Sequence, residues 1–377
     1  MNKSQDIKKK KVIIAMSGGV DSSVAAALLK ERGFSARGVY MKNWVDPEWP
    51  CPWQEERRDA MAVSIKLGIP FETWDFSKEY YEAVTQYMVR EYAEGRTPNP
   101  DVMCNREIKF KVFLERALKE GADYIATGHY VRLRRNDQFP ISSARGGSAS
   151  GGNSQLLQAK DTNKDQSYFL WTLTQNELKH CLFPIGEYTK PEVRKLARKF
   201  NLLTAEKKDS QGICFIGELN LKKFLKTKIS THEGKIVTTS GEIVGTHEGV
   251  EFFTIGQRHG IGFGGGREPL YVVGKDIKNN ILIVGSENSP ELYRKEFLIS
   301  KTSWVSGVIP QASFMVLARA RYRASLKKCI VASTKEDGTF KVTLEEAERA
   351  ITPGQSLVLY QKNAVETELL GGGIILD

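Results

Sequence analysis

The chain has 377 residues, longer than one typical domain, so two or three units with separate cores are expected. It carries 55 Lys and Arg against 45 Asp and Glu, a net charge of +10 that suits a polyanionic partner. No apolar run is long enough to span a bilayer, and the lysine-rich start lacks the apolar region of a secretory signal. Five scattered cysteines without a CxxC fit neither a disulfide framework nor structural zinc. The expectation is a cytoplasmic, monomeric enzyme with no membrane association and no structural metal.

The first element is an apolar strand over 12–15, followed by the string Ala15-Met16-Ser17-Gly18-Gly19-Val20-Asp21-Ser22 and an apolar helix that ends near Gly33. Two glycines permit tight geometry and close approach of N–H groups to an oxyanion. Ser17, Ser22 and Ser23 add hydroxyls, and a helix start adds its positive dipole end. Asp21 stands where a carboxylate caps free N–H groups or helps hold a metal ion. An ordinary glycine turn would need none of this chemistry, so the whole string favours an anion cradle. It is neither a Walker loop nor GxGxxG.

Strand and helix then alternate: strand 36–41, helix 54–67 stopped by Gly68, strand 71–76, and a long helix to Glu94 with Ser77 as its cap. A helix over 105–120 is closed by Gly121, and strand 124–127 follows. This rhythm predicts a doubly wound parallel sheet, with ligands at the carboxyl ends of the strands, where the glycine loop, Met41 and Gly128-His129 fall. Two prolines predict an extended loop over 97–103, leaving Cys104 at a helix start. The dipole, Arg106 and Lys109 would there favour its thiolate, and Asp101 would oppose it while serving as a proton carrier.

Residues 136–154 are rich in Ser, Gly and Asn and read as a surface insertion. Thr189-Lys190-Pro191-Glu192 has capping-box spacing. Cys214 has apolar neighbours and, taken alone, reads as a buried core thiol. Beyond 220 the texture is β-rich, with short apolar runs at Val244, 252–253, 270–273, 281–284, 314–318, 329–332 and 356–360. The fold class expected is α/β, divided as a catalytic unit over 1–219, a small β-rich unit over 220–292 and a terminal β-barrel over 293–377.

The string Ser-Gly-Gly-Val-Asp-Ser resembles the PP-loop of ATP pyrophosphatases, which activate a substrate oxygen with AMP. In order along the chain come SGGVDSS, MKNW (41–44), GRTPNPDVMCNREIKF (95–110), DYIATGHY (123–130), KDQSYFL (164–170), KKDSQGICFIGE (207–218), TIGQRHG (254–260), RYR (321–323), TPGQS (352–356) and GGGII (371–375). Together they resemble the tRNA-specific 2-thiouridylase family, from about residue 12 to the end. The 136–154 insertion and Pro50-Cys51-Pro52-Trp53 depart from its shorter members.

The resemblance implies that sulfur replaces O2 of the wobble uridine in tRNAs for Lys, Glu and Gln. Ala15 to Ser22 would hold the ATP phosphates with Mg²⁺, and Met41 and Gly128 would line the adenosine side. Cys214 would carry a persulfide from a cysteine desulfurase or relay protein, and Cys104 would form a transient disulfide with it. Asp101 would be the general acid/base, with Asn99, Pro100 and Asp101 at the target base. His129, Lys164, Asp165, Gln166, Arg321, Tyr322 and Gln355 would contact tRNA. A PP-loop synthetase with a small-molecule acceptor would instead call for a glutamine-hydrolysing partner, and no nucleophile elbow is visible. An RNA-binding module with a vestigial nucleotide site would leave both cysteines dispensable.

Overall fold

Apolar residues on both faces of a strand require layers on both sides, and the first strand meets that demand. In the computed structural model, which describes residues 10–48, 53–135, 154–208, 221–261, 269–334 and 338–376, β1 (Lys11–Ala15) is buried at every position after the first. It leads into α1 (Val20–Glu31), whose Val24 to Ala27 are buried, the small side chains allowing close packing on the sheet. Next come β2 (Ser35–Lys42), α2 (Trp53–Leu67) and β3 (Phe71–Asp75).

A long helix then runs through α3 (Ser77–Tyr80), a π-helical stretch (Tyr81–Thr85) and α4 (Gln86–Ala93). A second one comprises α5 (Pro100–Met103), a π-helical stretch (Cys104–Val112) and α6 (Phe113–Lys119). After β4 (Tyr124–Ala126), a hairpin of β5 (Val131–Arg135) and β6 (Ser154–Gln158) precedes α7 (Gln175–Leu178), β7 (Cys181–Leu182) and α8 (Lys190–Lys199). The first sheet has the order β3-β2-β1-β4-β7, and all four of its pairings are parallel. Its order reverses at β1, so the crevice above β1 and β4 is the natural ligand site.

Past α9 (Leu221–Lys228) a small sheet forms from β8 (Gly234–Thr238), β9 (Ile243–His247), β10 (Tyr271–Asp276) and β11 (Ile281–Gly285), in the order β10-β11-β8-β9. The remaining strands are β12 (Tyr293–Trp304), β13 (Phe314–Arg319), β14 (Lys327–Ser333), β15 (Phe340–Arg349), β16 (Ser356–Lys362) and β17 (Thr367–Ile375). Pairing of β12 with β17 closes them into a barrel filled by Phe297, Trp304, Val331, Phe340 and Val342.

The hairpin β5–β6 leaves its own unit and extends the barrel sheet, with Leu156 and Leu157 opposite Leu369 and Glu368 of β17. Beside it, Trp171 Nε1 donates to Ser356 Oγ at 3.0 Å and the Tyr168 hydroxyl to the Ser356 carbonyl at 2.8 Å, in a buried seam.

Several local expectations need correction. Ser77 is the first helical residue and Phe76 the cap position, while the Asp75 carboxylate accepts the Ser77 N–H at 2.9 Å. The 97–103 segment is not extended throughout. Helix begins at Pro100, because Asn99 accepts the N–H groups of Asp101 and Val102 at 3.1 and 3.2 Å and proline suits the first turn. Residues 250–252 form a 3₁₀ turn, not a strand, and α9 is a helix in the stretch read as β-rich. Ser154 opens β6 and so does not belong to the insertion, the rest of which lies outside the described residues. The capping box at Thr189 is present, with Glu192 reaching back to the Thr189 N–H at 2.6 Å.

Candidate active site

The glycine loop turns because Gly18 adopts φ of +73°, and a Cβ there would stand 2.2 Å from the Glu56 carbonyl oxygen. Gly19 is the cap position of α1 and brings no side-chain cap, so N–H groups of the first turn stay unclaimed by capping side chains. Ser17 and Ser22 line the loop with their hydroxyls 3.2 Å apart, and Ser22 Oγ also accepts the Ser17 N–H at 3.2 Å. Unfilled donors at a helix start, beside two hydroxyls, favour an anion of phosphate type. Gly128 follows β4 and abuts the same turn: a Cβ there would lie 2.6 Å from Ser22 N. Met41, half-buried near the end of β2, borders the same sheet edge. Ala15, Met16 and Val20 are buried and carry the loop instead of pointing into it.

Asp21 neither caps the helix nor stands open. Its Oδ1 accepts the Tyr130 hydroxyl at 2.8 Å, and Lys190 Nζ lies 2.8 Å from each of its oxygens. Lys190, at the start of α8, therefore brings a cation to the cradle that lacks a Walker lysine. Sequence reasoning missed it. The only signal was its place in the capping box, where it read as helix punctuation.

Asp101 and Cys104 share the start of the second long helix. Cys104 is 2% exposed, and burial pushes its thiol up, with the Asp101 charge adding to this. The Lys109 charge and a hydrogen bond from Tyr80 act the other way. The thiolate expected at a helix start is thus contradicted. Asn99 moves the true start five residues earlier, and the thiol sits inside the protein beyond the first turn. Burial likewise raises the Asp101 carboxyl, opposed by Lys109, which suits a group that holds and releases a proton. Cys104 and Lys109 are one turn apart in the π-helical stretch, whose hydrogen bonds join residues five apart. Cys214 lies outside the described residues, and so does any pairing of Cys104 with it.

His129 is 6% exposed, with Nδ1 2.7 Å from Thr127 Oγ1 and its ring against Phe110 and Phe183. Burial, then the Lys109 charge, holds its pKa well below the ordinary value, so it is neutral and offers RNA no cation. Asp165 is 2% exposed, and its carboxylate accepts from Ala159 N, Ser167 N, Ser167 Oγ and Gln158 Nε2 at 2.8–3.2 Å, with Arg319 3.6 Å away. These bonds tie β6 to the barrel and leave little of the carboxylate at the surface. Its half-buried neighbours Lys164 and Gln166 stay at the surface, and Gln166 Oε1 accepts the Tyr130 N–H at 2.9 Å.

Arg321 donates to the carbonyls of Ile255 and Ala350 at 3.2 and 2.6 Å. Tyr322 packs on Phe169 with ring centres 4.5 Å apart, and the Phe169 carbonyl accepts from Asn105, next to Cys104. Gln355 Nε2 donates to the Thr97 carbonyl at 2.8 Å. Residues from the barrel are thus brought to the Asn99–Asp101 turn, which no sequence spacing could indicate. Among the described residues no cluster of His, Cys, Asp and Glu forms a metal site, and no helix is long and apolar enough to cross a membrane.

Comparison with known proteins agrees with this architecture along the whole chain. Residues 10–218 match the tRNA methyl transferase HUP domain, 222–286 the tRNA methyl transferase PRC-barrel domain, and 294–375 the aminomethyltransferase beta-barrel domain. The tRNA-specific 2-thiouridylase MnmA of Bacillus subtilis is 47% identical, the match covering 97% of this chain and 95% of that protein. Its namesakes from Staphylococcus saprophyticus and Pseudomonas fluorescens are 46% and 45% identical, each match covering 98% of this chain and 96% of theirs. With an uncapped helix start above a parallel sheet, a buried thiol beside a raised carboxyl, and near-complete coverage by these relatives, the chain belongs to the tRNA-specific 2-thiouridylase family.

Proposed function

We propose that this chain uses ATP to adenylate O2 of the wobble uridine of tRNA and then replaces that oxygen with sulfur, giving 2-thiouridine. The observation that carries the reading is the meeting of two half-sites at the end of β4. On one side Gly128 touches the turn that starts α1, and on the other the His129 ring packs against Phe110 in the helix that carries Cys104. A nucleotide seated on the loop and a base seated at Asn99–Asp101 would then share one crevice.

The triphosphate fits the donor-rich turn, with Lys190 opposite. Asp21 is the loop carboxylate suited to a hydrated Mg²⁺, once Lys190 turns from it to phosphate. Magnesium would supply charge neutralisation for the leaving pyrophosphate. Uridine O2 attacks the α-phosphorus and pyrophosphate departs. The terminal sulfur of a Cys214 persulfide attacks C2, and AMP leaves with the former O2. Cys104 then attacks Cys214 Sγ, the sulfur–sulfur bond to the base breaks, its electron pair stays on the new thiocarbonyl, and a Cys104–Cys214 disulfide remains for a thiol reductant. Asp101 holds or returns the proton in these steps. The sulfur comes from a cysteine desulfurase or relay protein, and the acceptors are tRNAs for Lys, Glu and Gln.

The test supplies unmodified tRNA, ATP and either sulfide or a desulfurase with cysteine, and measures 2-thiouridine by nucleoside mass spectrometry. Product that depends on ATP with either source, and on Cys214 with the desulfurase, is expected. Tight tRNA binding with no product under every sulfur source would leave an RNA-binding module instead.

A further inference from the structure

The small central sheet and the TIGQRHG segment (254–260) both meet the segment Gly95–Pro98, which runs directly into the Asn99 cap of the Cys104 helix.

From the central unit, Lys275 on β10 donates to the Gly95 carbonyl and, at 2.9 Å, to that of Phe253. Thr254 Oγ1 lies 3.2 Å from Thr97 Oγ1. From the barrel, the Pro353 carbonyl accepts the Thr97 N–H at 2.8 Å, and Gln355 Nε2 donates to the Thr97 carbonyl at 2.8 Å. Arg321 joins the two sides by donating to Ile255 and Ala350. Gly256 N–H donates to the Val272 carbonyl at 2.7 Å, anchoring the 254–257 turn to β10. A short stretch of the catalytic unit is therefore gripped from both other units, immediately before the residues read as holding the target base.

Lys275 is an unusual choice for a purely structural contact. It forms no ion pair among the described residues, and its two acceptors are neutral carbonyls. Burial lowers its pKa to about 8, with Glu251 partly offsetting this. A buried ammonium of this kind is tolerated where its donors fix chain geometry that weaker donors would leave loose.

We propose that Lys275 is a positioning residue: with Thr254 it makes the central unit a clamp on Gly95–Pro98, and the clamp sets where Asn99, Asp101 and Cys104 stand relative to the base. This rests on the functional reading for what is positioned, although the clamp itself is read without turnover.

The experiment compares wild type with Lys275→Met, Lys275→Arg and Thr254→Val in the full chain. Three readouts are taken: alkylation of Cys104 followed by peptide mass spectrometry, tRNA affinity, and the kcat and KM of thiolation. In Lys275→Met, loosening of the segment is expected to speed Cys104 alkylation about tenfold, by raising the population of locally opened molecules. The fall should be in kcat, about tenfold, with tRNA affinity within about twofold of wild type. Lys275→Arg keeps donors and should restore most of both. Thr254→Val should move alkylation and kcat the same way by less, which keeps the test decisive if Lys275→Met unfolds. Wild-type alkylation in Lys275→Met and Thr254→Val, or a loss confined to tRNA affinity, overturns the clamp. Wild-type enzyme without 2-thiouridine activity defeats the functional reading alone, since the alkylation comparison still stands.

Discussion

Alanine at Gly18 and at Gly19 should do opposite things, although the residues are adjacent. Gly18 has φ of +73°, and its added Cβ would stand 2.2 Å from the Glu56 carbonyl oxygen and 2.9 Å from its carbon, both backbone atoms of α2. The left-handed conformation costs about 1–2 kcal/mol for a residue with a Cβ. Forcing α2 aside adds about 1–3 kcal/mol. The sum, about 2–5 kcal/mol, corresponds to a fall of roughly 5–15 °C in melting temperature for a unit of this size.

Gly19 has φ of −92° and ψ of 164°, open to any residue, and its Cβ would meet nothing nearer than Ser17 Oγ at 3.4 Å. Losing a good cap residue and stiffening the unfolded chain nearly cancel, within about 1 kcal/mol. Its methyl group would instead occupy the mouth of the loop, where phosphate has to approach the first-turn N–H groups. Gly19→Ala is therefore expected to melt like wild type and lose nucleotide affinity at least about tenfold, a cost of about 1.4 kcal/mol. Differential scanning calorimetry and equilibrium dialysis with a non-hydrolysable ATP analogue read the two quantities separately. If Gly19→Ala binds the analogue as wild type does, the loop is not the phosphate cradle. If Gly18→Ala melts unchanged, the strain argument is wrong.

Other predictions address the remaining site. Asp21→Ala and Lys190→Met should each abolish tRNA-dependent pyrophosphate release, measured by a coupled phosphate assay; release at the wild-type rate in either would move the nucleotide elsewhere. Cys214→Ser should eliminate persulfide-dependent product, visible by nucleoside mass spectrometry, and Cys104→Ser should block turnover before product release, leaving tRNA disulfide-linked to Cys214, visible by non-reducing electrophoresis. Because burial raises the Cys104 pKa above that of an ordinary thiol, the neutral form prevails at pH 7. Its alkylation should therefore keep rising with pH beyond the point where an exposed cysteine has levelled off, and an early plateau would contradict the buried placement. Asp165→Ala would strand the Arg319 guanidinium and Gln158 in the seam between β6 and the barrel, a loss of about 3–5 kcal/mol. Chemical denaturation should show it, whereas weakened tRNA binding at full stability would restore Asp165 as an RNA contact.

Local rules made much of this protein legible from sequence. Alternating apolar runs and glycine stops located the parallel sheet, because a strand buried on both faces and a helix buried on one leave different periods in the chain. The glycine loop was legible for the same reason: a tight turn, hydroxyls and a helix start are all consecutive. Thr189 to Glu192 reads as a cap, whereas the two prolines flanking Asn99 suggest an extended chain that hides its capping role and puts Cys104 at the helix start instead of its interior.

What only the tertiary structure decided is everything that depends on distant residues sharing low-dielectric space. Lys190 faces Asp21 across 169 positions, and Gln355 reaches Thr97 across 258. The state of the Cys104 thiol depends on how deeply it is buried, and the role of Asp165 on the seam that encloses it. Sequence carries the conformational preferences of neighbours, whereas desolvation and charge pairing act through space, and their sign is settled only when the chain has closed around the group.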